Sequence, residues 1–468
     1  MKKLSIGIGI FFFLLVAIIV TVILSIRSIV TREFIVNQLE SSFNVRADLR
    51  QININLFSGL SSVELEGLDI YTRDNFADNA VELEKRTPVT GSILSIQKID
   101  LKLNFLALLR RSFQVKNFVF IGPFVSIVLS ENGNNLSYLF QKPKIVEGKP
   151  NPNLSEKTEE SKETKEEPFT IHSIPLAAQV GKIGIENGKL EIFIQKTQQK
   201  ISLEKLNLLL TDIDIDPANL EKHNSIHLKL NTNISVFNSE GRESALFKIL
   251  SNGTIVPFVP KTGYINPSID YYLTMQQGSY IDGLSILDAL SGKLPILADA
   301  GIKMDSLSKK AEILRDVEIA LNYSNQRITF LKEILFPTAN YDLTLESKSW
   351  LHIGNNEHNF KGAVLASKQE SEQAIGGVDA AIKSKLKKGD PVEIRNKLLG
   401  NIVKADRMNL PFTSSGNIKS PNVQLDVSLP SILELTKGII GDVIKDELKK
   451  KLPPGATEVI NNGLKKLF

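Results

Sequence analysis

The sequence predicts a mainly β protein, with antiparallel strands wet on one face, a transmembrane helix at the N-terminus and amphipathic helices at the C-terminus. Three observations carry this expectation. Apolar and polar residues alternate with period two along most of the 468 residues, the pattern of strands with one dry and one solvated face. The run from Leu4 to Ile26 holds no charge and only Ser, Gly and Thr as polar members. Beyond residue 430 the apolar period becomes that of a helix.

The N-terminal run comes first. At about 1.5 Å per residue it spans roughly 35 Å, enough for a ~30 Å hydrocarbon core. Lys2 and Lys3 precede it, as they would in a secretory signal peptide. The stretch is longer than an h-region, however, and "SIRSIVTREF" offers no small-x-small cleavage site. Residues 1–30 are therefore expected to be an uncleaved anchor inserted from the cytoplasmic side. Arg27 and Arg32 weaken the charge asymmetry that would set its orientation.

Region 31–140 opens with "TREFIVNQLESSFN", a short helix with Thr31 as N-cap and Phe34, Leu39 and Phe43 near helical spacing. Strands follow at Ile52, Ile54 and Leu56, at Val63 and Leu65, and at Ile99, Leu101 and Leu103, each alternating with Asn, Glu, Lys or Asp. In "NFVFIGPFVSIVLSENGNNLSYLF", residues 117–140, two apolar runs meet at Gly122-Pro123. That dipeptide is expected to turn the chain between neighbouring strands. Residues 141–168, rich in Lys, Glu and Pro and nearly free of apolar residues, cannot offset their ordering entropy and read as a disordered linker.

From 169 to 428 the strands resume. Leu190, Ile192 and Ile194 form one run; Leu206, Leu208 and Leu210 another; Ile226, Leu228, Leu230, Thr232, Ile234 and Val236 the longest. Later runs are Val317–Tyr323, Tyr341–Leu345 and Val423–Val427. Asn187-Gly188, Asn252-Gly253 and Ser415-Gly416 read as turn signals between or beside these runs. Residues 281–290 and 369–400 read as helical, and the total is about fifteen strands, mostly antiparallel from their connection lengths. In 429–468, Ile432, Leu435, Ile439 and Val443 line one side of a helix that Pro453-Pro454 breaks, and Leu464 and Phe468 belong to a second stripe. These helices either cap the sheet or touch a membrane or partner.

Composition narrows the chemistry. With 56 Lys and Arg against 52 Asp and Glu, no global field draws the chain to nucleic acid. It has no Cys, hence no disulfide, zinc-thiolate or thiol nucleophile. Phe outnumbers the other aromatics, 23 against one Trp and eight Tyr, which favours plain apolar surface over hydrogen-bonded recognition. His352 and His358 are close in sequence but lack metal-ligand spacing. No phosphate loop, serine elbow or paired carboxylates stand out, so neither an enzyme nor a cofactor is expected.

Three stretches in order resemble the AsmA-like family of diderm bacteria. The first is the segment at 117–140, a strand, a Gly-Pro, a second strand, and then Gly133, Asn135 and Leu136 before a helix start. The family often has an aromatic directly after that Asn, which this chain delays to Tyr138. The second is "IGIENGKLEIFIQKTQQKISLEKLNLLL" at 183–210, similar to a hairpin followed by a long apolar strand. In the third, "LPFTSSGNIKSPNVQLDVS" at 410–428, Pro411, Phe412, Gly416 and Pro421 match the spacing of a C-terminal motif. Residues 255–400 carry no such motif.

The resemblance implies a single-pass inner-membrane protein whose periplasmic body is an elongated, curved sheet enclosing an apolar groove. It also implies a role in phospholipid transport to, or biogenesis of, the outer membrane. The groove candidates are Leu190, Ile192, Ile194, Leu206, Leu208, Leu210, Ile226, Leu228, Leu230, Ile234 and Val236. Ile432, Leu435, Ile439, Val443, Leu464 and Phe468 are the candidates for contact with a membrane, an envelope protein or a second copy. The competing reading is a structural or assembly factor for outer-membrane proteins or envelope complexes.

Overall fold

A computed structural model describes residues 31–55, 60–72, 91–104, 113–131, 133–140, 170–171, 178–283, 290, 310–385, 391–400 and 402–427. The protein is mainly β, built on a large, curved, antiparallel-rich sheet that does not close on itself. Twenty-two strands are present among the described residues, more than the sequence count because several are only two to four residues long. The expected span at 4–26, the linker at 141–168 and the terminal segment from 429 lie outside the described residues. Among those described, no helix is long and apolar enough to cross a membrane. The chain divides into two compact units.

The first unit begins with α1 (Arg32–Ser42). Thr31 Oγ1 accepts from Phe34 N at 3.2 Å and so satisfies one of the free amides of the first turn. Ile35, Val36 and Leu39 form its buried stripe, which packs on β1 (Val45–Asn55). Strands β2 (Leu60–Thr72), β3 (Leu94–Asn104) and β4 (Phe113–Ser130) continue antiparallel. Their inner face and α1 share one closed core that includes Phe43, Leu68, Ile96, Ile99, Phe118, Phe120 and Leu139.

Gly122-Pro123 does not turn the chain between strands. It lies inside the single strand β4, with Gly122 at φ +59. Its effect is to change which face the side chains meet: Phe118 and Phe120 are buried before it, Pro123 and Ile127 after it. The same change occurs at one level in the neighbouring strands. Leu65 and Leu68 flank Gly67 at φ +65, Ile96 and Ile99 flank Gln97, and Leu49 and Ile52 flank Arg50-Gln51. Ladder pairing skips Arg50, Gly67, Gln97 and Gly122 in turn.

Beyond β4 the pairing is parallel for one step. β7 (Lys182–Ile194) and the short β6 (Ala178–Val180) run alongside β4 in the same direction. A parallel neighbour requires a long crossover, and the stretch between Ser130 and Lys182 provides the length. The ladder then returns to antiparallel through β8 (Gln199–Ile215), β9 (Asn224–Phe237), β10 (Glu243–Phe258), β11 (Ile265–Met275), β14 (Val317–Ser324), β15 (Arg327–Phe330) and β18 (Trp350–His352). Asn187-Gly188 and Asn252-Gly253, expected as turns, fall inside β7 and β10. Asn187 sits at φ 54 where the β7–β8 register shifts, and Lys205 at φ 51 where the β8–β9 register does.

In the second unit the order is β16 (Ile334–Pro337), β17 (Tyr341–Leu345), β19 (Glu357–Ala366), β21 (Arg407–Asn417) and β22 (Asn422–Leu425). Ser415-Gly416 closes β21 rather than separating strands. The helix expected at 369–400 is two helices, α2 (Lys368–Lys385) and α3 (Pro391–Leu399). Ser367 Oγ accepts from Glu370 N at 3.2 Å at the start of α2. Ser371, Ala374, Val378 and Ile382 are fully buried at helical spacing, and α2 packs on β21.

Two side chains fasten this unit. Arg407 donates to Asp342 Oδ2 (2.9 Å), Ala366 O (2.7 Å) and Leu365 O (2.9 Å), tying β17, β19 and β21 together. His358, buried, lies 2.7 Å from both Gly416 O and Ser414 Oγ. A carbonyl only accepts, so Nδ1 carries the proton and Nε2 accepts from Ser414. Burial holds the imidazole below its ordinary range, opposed by the bond to Gly416 O.

Candidate functional site

Directly opposed residues of neighbouring strands share a face, so the register itself assembles the site. One row runs Ile185, Leu208, Leu230, Ser251, Leu273, Ile319. The next runs Ile183, Leu210, Leu228, Gly253, Tyr271, Leu321, Phe330. Beyond it Ile226, Ile255, Ile269, Tyr323, Ile328 and Leu351 align. On the other side, Leu190, Leu203, Ile234 and Phe247 form a row, as do Ile192, Ile201, Val236 and Ala245. The result is one apolar face spanning β7 to β11, β14 and β15.

All eleven groove candidates lie on β7, β8 and β9. Leu190, Ile192, Ile194, Leu208, Leu210, Ile226, Leu228, Leu230, Ile234 and Val236 fall in register, and Leu206 stands at the β8 bulge opposite Gly188. The candidates at Ile432, Leu435, Ile439, Val443, Leu464 and Phe468 lie outside the described residues. Sequence reading left out Ile269, Tyr271, Leu273 and Met275, although they alternate with Asp270, Tyr272 and Thr274 and were legible by period. It also left out Ile201 and Leu203. The extra residue at Lys205 shifts parity, so these odd-numbered residues join the even-numbered ones on one face.

The face differs from the core under α1. There the apolar residues are nearly all fully buried. Along β7–β11 most of their counterparts keep partial exposure, with Leu228 at 8% among the least. The described helices are engaged elsewhere: α1 on β1, α2 on β21, and α3 on α2. Apolar side chains that pack sideways but keep one end open form a surface ready to take an apolar partner.

The opposite face is mainly polar, although Leu250, Val256 and Tyr272 are also exposed on it. Lys229 and Asn231 are exposed. Lys200 Nζ and Lys189 Nζ lie 2.8 Å and 3.0 Å from Glu191 Oε1, and these bonds, Lys200's first, hold the Glu191 carboxyl below its usual range. His223 Nδ1 sits 3.0 Å from both Asp214 oxygens on the exposed β8–β9 connection. His352 Nδ1 accepts from Gly354 N at 3.1 Å and so shapes a turn. Asn135, the residue in the Gly-Pro stretch that resembles the family signature, braces β4: its Nδ2 donates to Ser126 O (2.9 Å) and its Oδ1 accepts from Val128 N (2.8 Å).

Among the described residues no three His, Cys, Asp or Glu side chains gather to hold a metal. The arrangement offers an extended apolar surface on one side and a mainly polar one, interrupted by Leu250, Val256 and Tyr272, on the other. No family model matches the chain, and no curated protein matches it.

Proposed function

We propose that the protein binds phospholipid by its acyl chains along the apolar face of β7–β11, β14 and β15. Anchored in the inner membrane through residues 4–26, with its body in the periplasm, it would assist lipid transport to, or biogenesis of, the outer membrane. The observation that carries this reading is the set of Leu, Ile, Val and Phe rows, most of their members partly exposed, that strand pairing aligns across seven strands. Strands about 4.8 Å apart make that face ~29 Å wide, and Ile226 to Val236 at ~3.3 Å per residue makes it ~33 Å long. The acyl layer of one leaflet is about half of a ~30 Å core, so whole chains fit. Each methylene removed from water contributes about 0.8 kcal/mol, which needs no catalytic group. The resemblance to the AsmA-like family supports the same reading.

The test is mass spectrometry of an organic extract of the purified full-length chain. Phospholipid is expected to co-purify, and to be depleted in Leu230→Asp and Ile234→Asp but not in Lys229→Asp. A monodisperse wild-type protein free of lipid would refute the proposal and favour the structural or assembly reading.

A further inference from the structure

Hydroxyls interrupt the apolar face at Thr232, at Tyr323 and, as a bonded pair, at Ser251 and Tyr271. Ser251 stands between Leu230 and Leu273, and Tyr271 pairs with Gly253 in the next row. The Tyr271 ring lies over Gly253, where a Cβ would meet Tyr271 Cδ2 at 2.6 Å and collide with Asp270 O. Laid down in this way, the phenol reaches across to Ser251, with 2.6 Å between the two hydroxyl oxygens. Two hydroxyls carry two protons, and the bond between them uses one. Neither side chain has another hydrogen bond among the described residues. The remaining proton therefore points to no acceptor among the described residues, in surroundings of Leu and Ile. Another hydroxyl on the same face, Thr232 Oγ1, is engaged with Glu204 O at 3.2 Å. Burial keeps the Tyr271 phenol above its ordinary range, so it stays neutral and able to donate.

An unmade hydrogen bond in apolar surroundings favours any ligand that brings an acceptor. Acyl methylenes bring none. A phosphate would call for a cation, and the apolar rows of β7–β15 contain no Lys or Arg. The acceptor of a phospholipid that lies next to its methylenes is the ester carbonyl. We propose that the Ser251–Tyr271 hydroxyl pair docks the ester carbonyl of an acyl glycerolipid, fixing where along the face the chains begin; this rests on the reading of the face as a lipid surface. The pair would thus select ester-linked over ether-linked lipid.

The experiment is competition against a headgroup-labelled phosphatidylcholine bound to the full-length protein. The competitors are unlabelled diacyl and dialkyl phosphatidylcholine of equal chain length. Diacyl lipid should compete about fivefold better, the factor that a net ~1 kcal/mol hydrogen bond converts to. Either hydroxyl alone still has a proton to give, so Ser251→Ala and Tyr271→Phe should each retain a preference. The double variant should lose it, with dialkyl affinity unchanged within about twofold. Equal competition by the two lipids in the wild type would overturn the proposal, as would a preference that survives in the double variant. Failure of the labelled lipid itself to bind would instead overturn the assignment of the face to lipid.

Discussion

The assignment of faces makes a sharp prediction at two adjacent residues, Leu228 and Lys229. Leu228 is 8% exposed and faces Leu210 and Gly253 across the ladder. Replacing it with Asp forfeits about 1.5–3 kcal/mol of side-chain burial. The new carboxyl finds no cation in its row, so it takes the protonated form and leaves polar atoms unpaired, a further ~1–3 kcal/mol. The total, ~2.5–6 kcal/mol, is a large part of the ~5–15 kcal/mol that stabilises a typical domain. Lys229 is exposed and points the other way, toward Asn252, so Lys229→Asp should stay within about 0.5 kcal/mol. The assay is urea unfolding of the full-length chain followed by Trp350, the one tryptophan. It stacks under Arg327 at 4.1 Å in the same unit. The midpoint should fall by about 1 M or more for Leu228→Asp and hardly move for Lys229→Asp. Equal shifts would refute the assignment, because a strand displaced by one residue exchanges its faces.

Three more outcomes are expected in the second unit. His358 is held neutral in the fold, so the unfolded chain binds its proton more readily. Stability from this group is therefore fully present above about pH 6.5 and lost as pH falls from there toward the lowered folded value; amide protection across β19–β21, taken relative to the intrinsic exchange rate at each pH, should fall between pH 7 and 5, and unchanged protection would contradict this. Arg407→Lys keeps a charge near Asp342 but forfeits the planar fork that reaches Ala366 O and Leu365 O, and should cost about 1–2 kcal/mol in thermal unfolding. Gly362→Ala places a Cβ against Thr344 O, backbone that cannot step aside, so about 3 kcal/mol should be lost and exchange at Glu346 and Ala363 should rise; unchanged protection there would show that the strands separate easily.

Period-two alternation was enough to find β2, β3, β9 and β14, because in each an evenly alternating run lies wholly on one side of any break. It was enough to place Thr31 at the start of α1, since capping is a local interaction. It misjudged Gly122-Pro123, Asn187-Gly188 and Asn252-Gly253, which have the composition of turns. A positive φ suits a bulge as well as a turn, and a bulge's second strand is a neighbour far away in sequence. Gly253 has a different cause again: it makes room for the Tyr271 ring, which only the β10–β11 register reveals. The parallel step between β4 and β7 was hidden for the same reason, since local pattern does not name a strand's partner.

The line along which the sheet changes face, from Arg50 through Gly67, Gln97, Gly122 and Asn187 to Lys205, bears on insertions and deletions. β9 is the first strand past it that alternates evenly, from Ile226 to Val236. Removing Lys205 would give β8 the same even count and carry everything on one side of the gap to the wrong surface. Ile201 and Leu203 would move to the solvated side, Ser202 and Glu204 to the apolar one. A residue added in the 195–198 turn falls outside the ladder and disturbs neither surface. Length changes of one residue should thus be tolerated at the hairpin tips and rejected along this line, even though the line crosses strands whose side chains there are partly exposed.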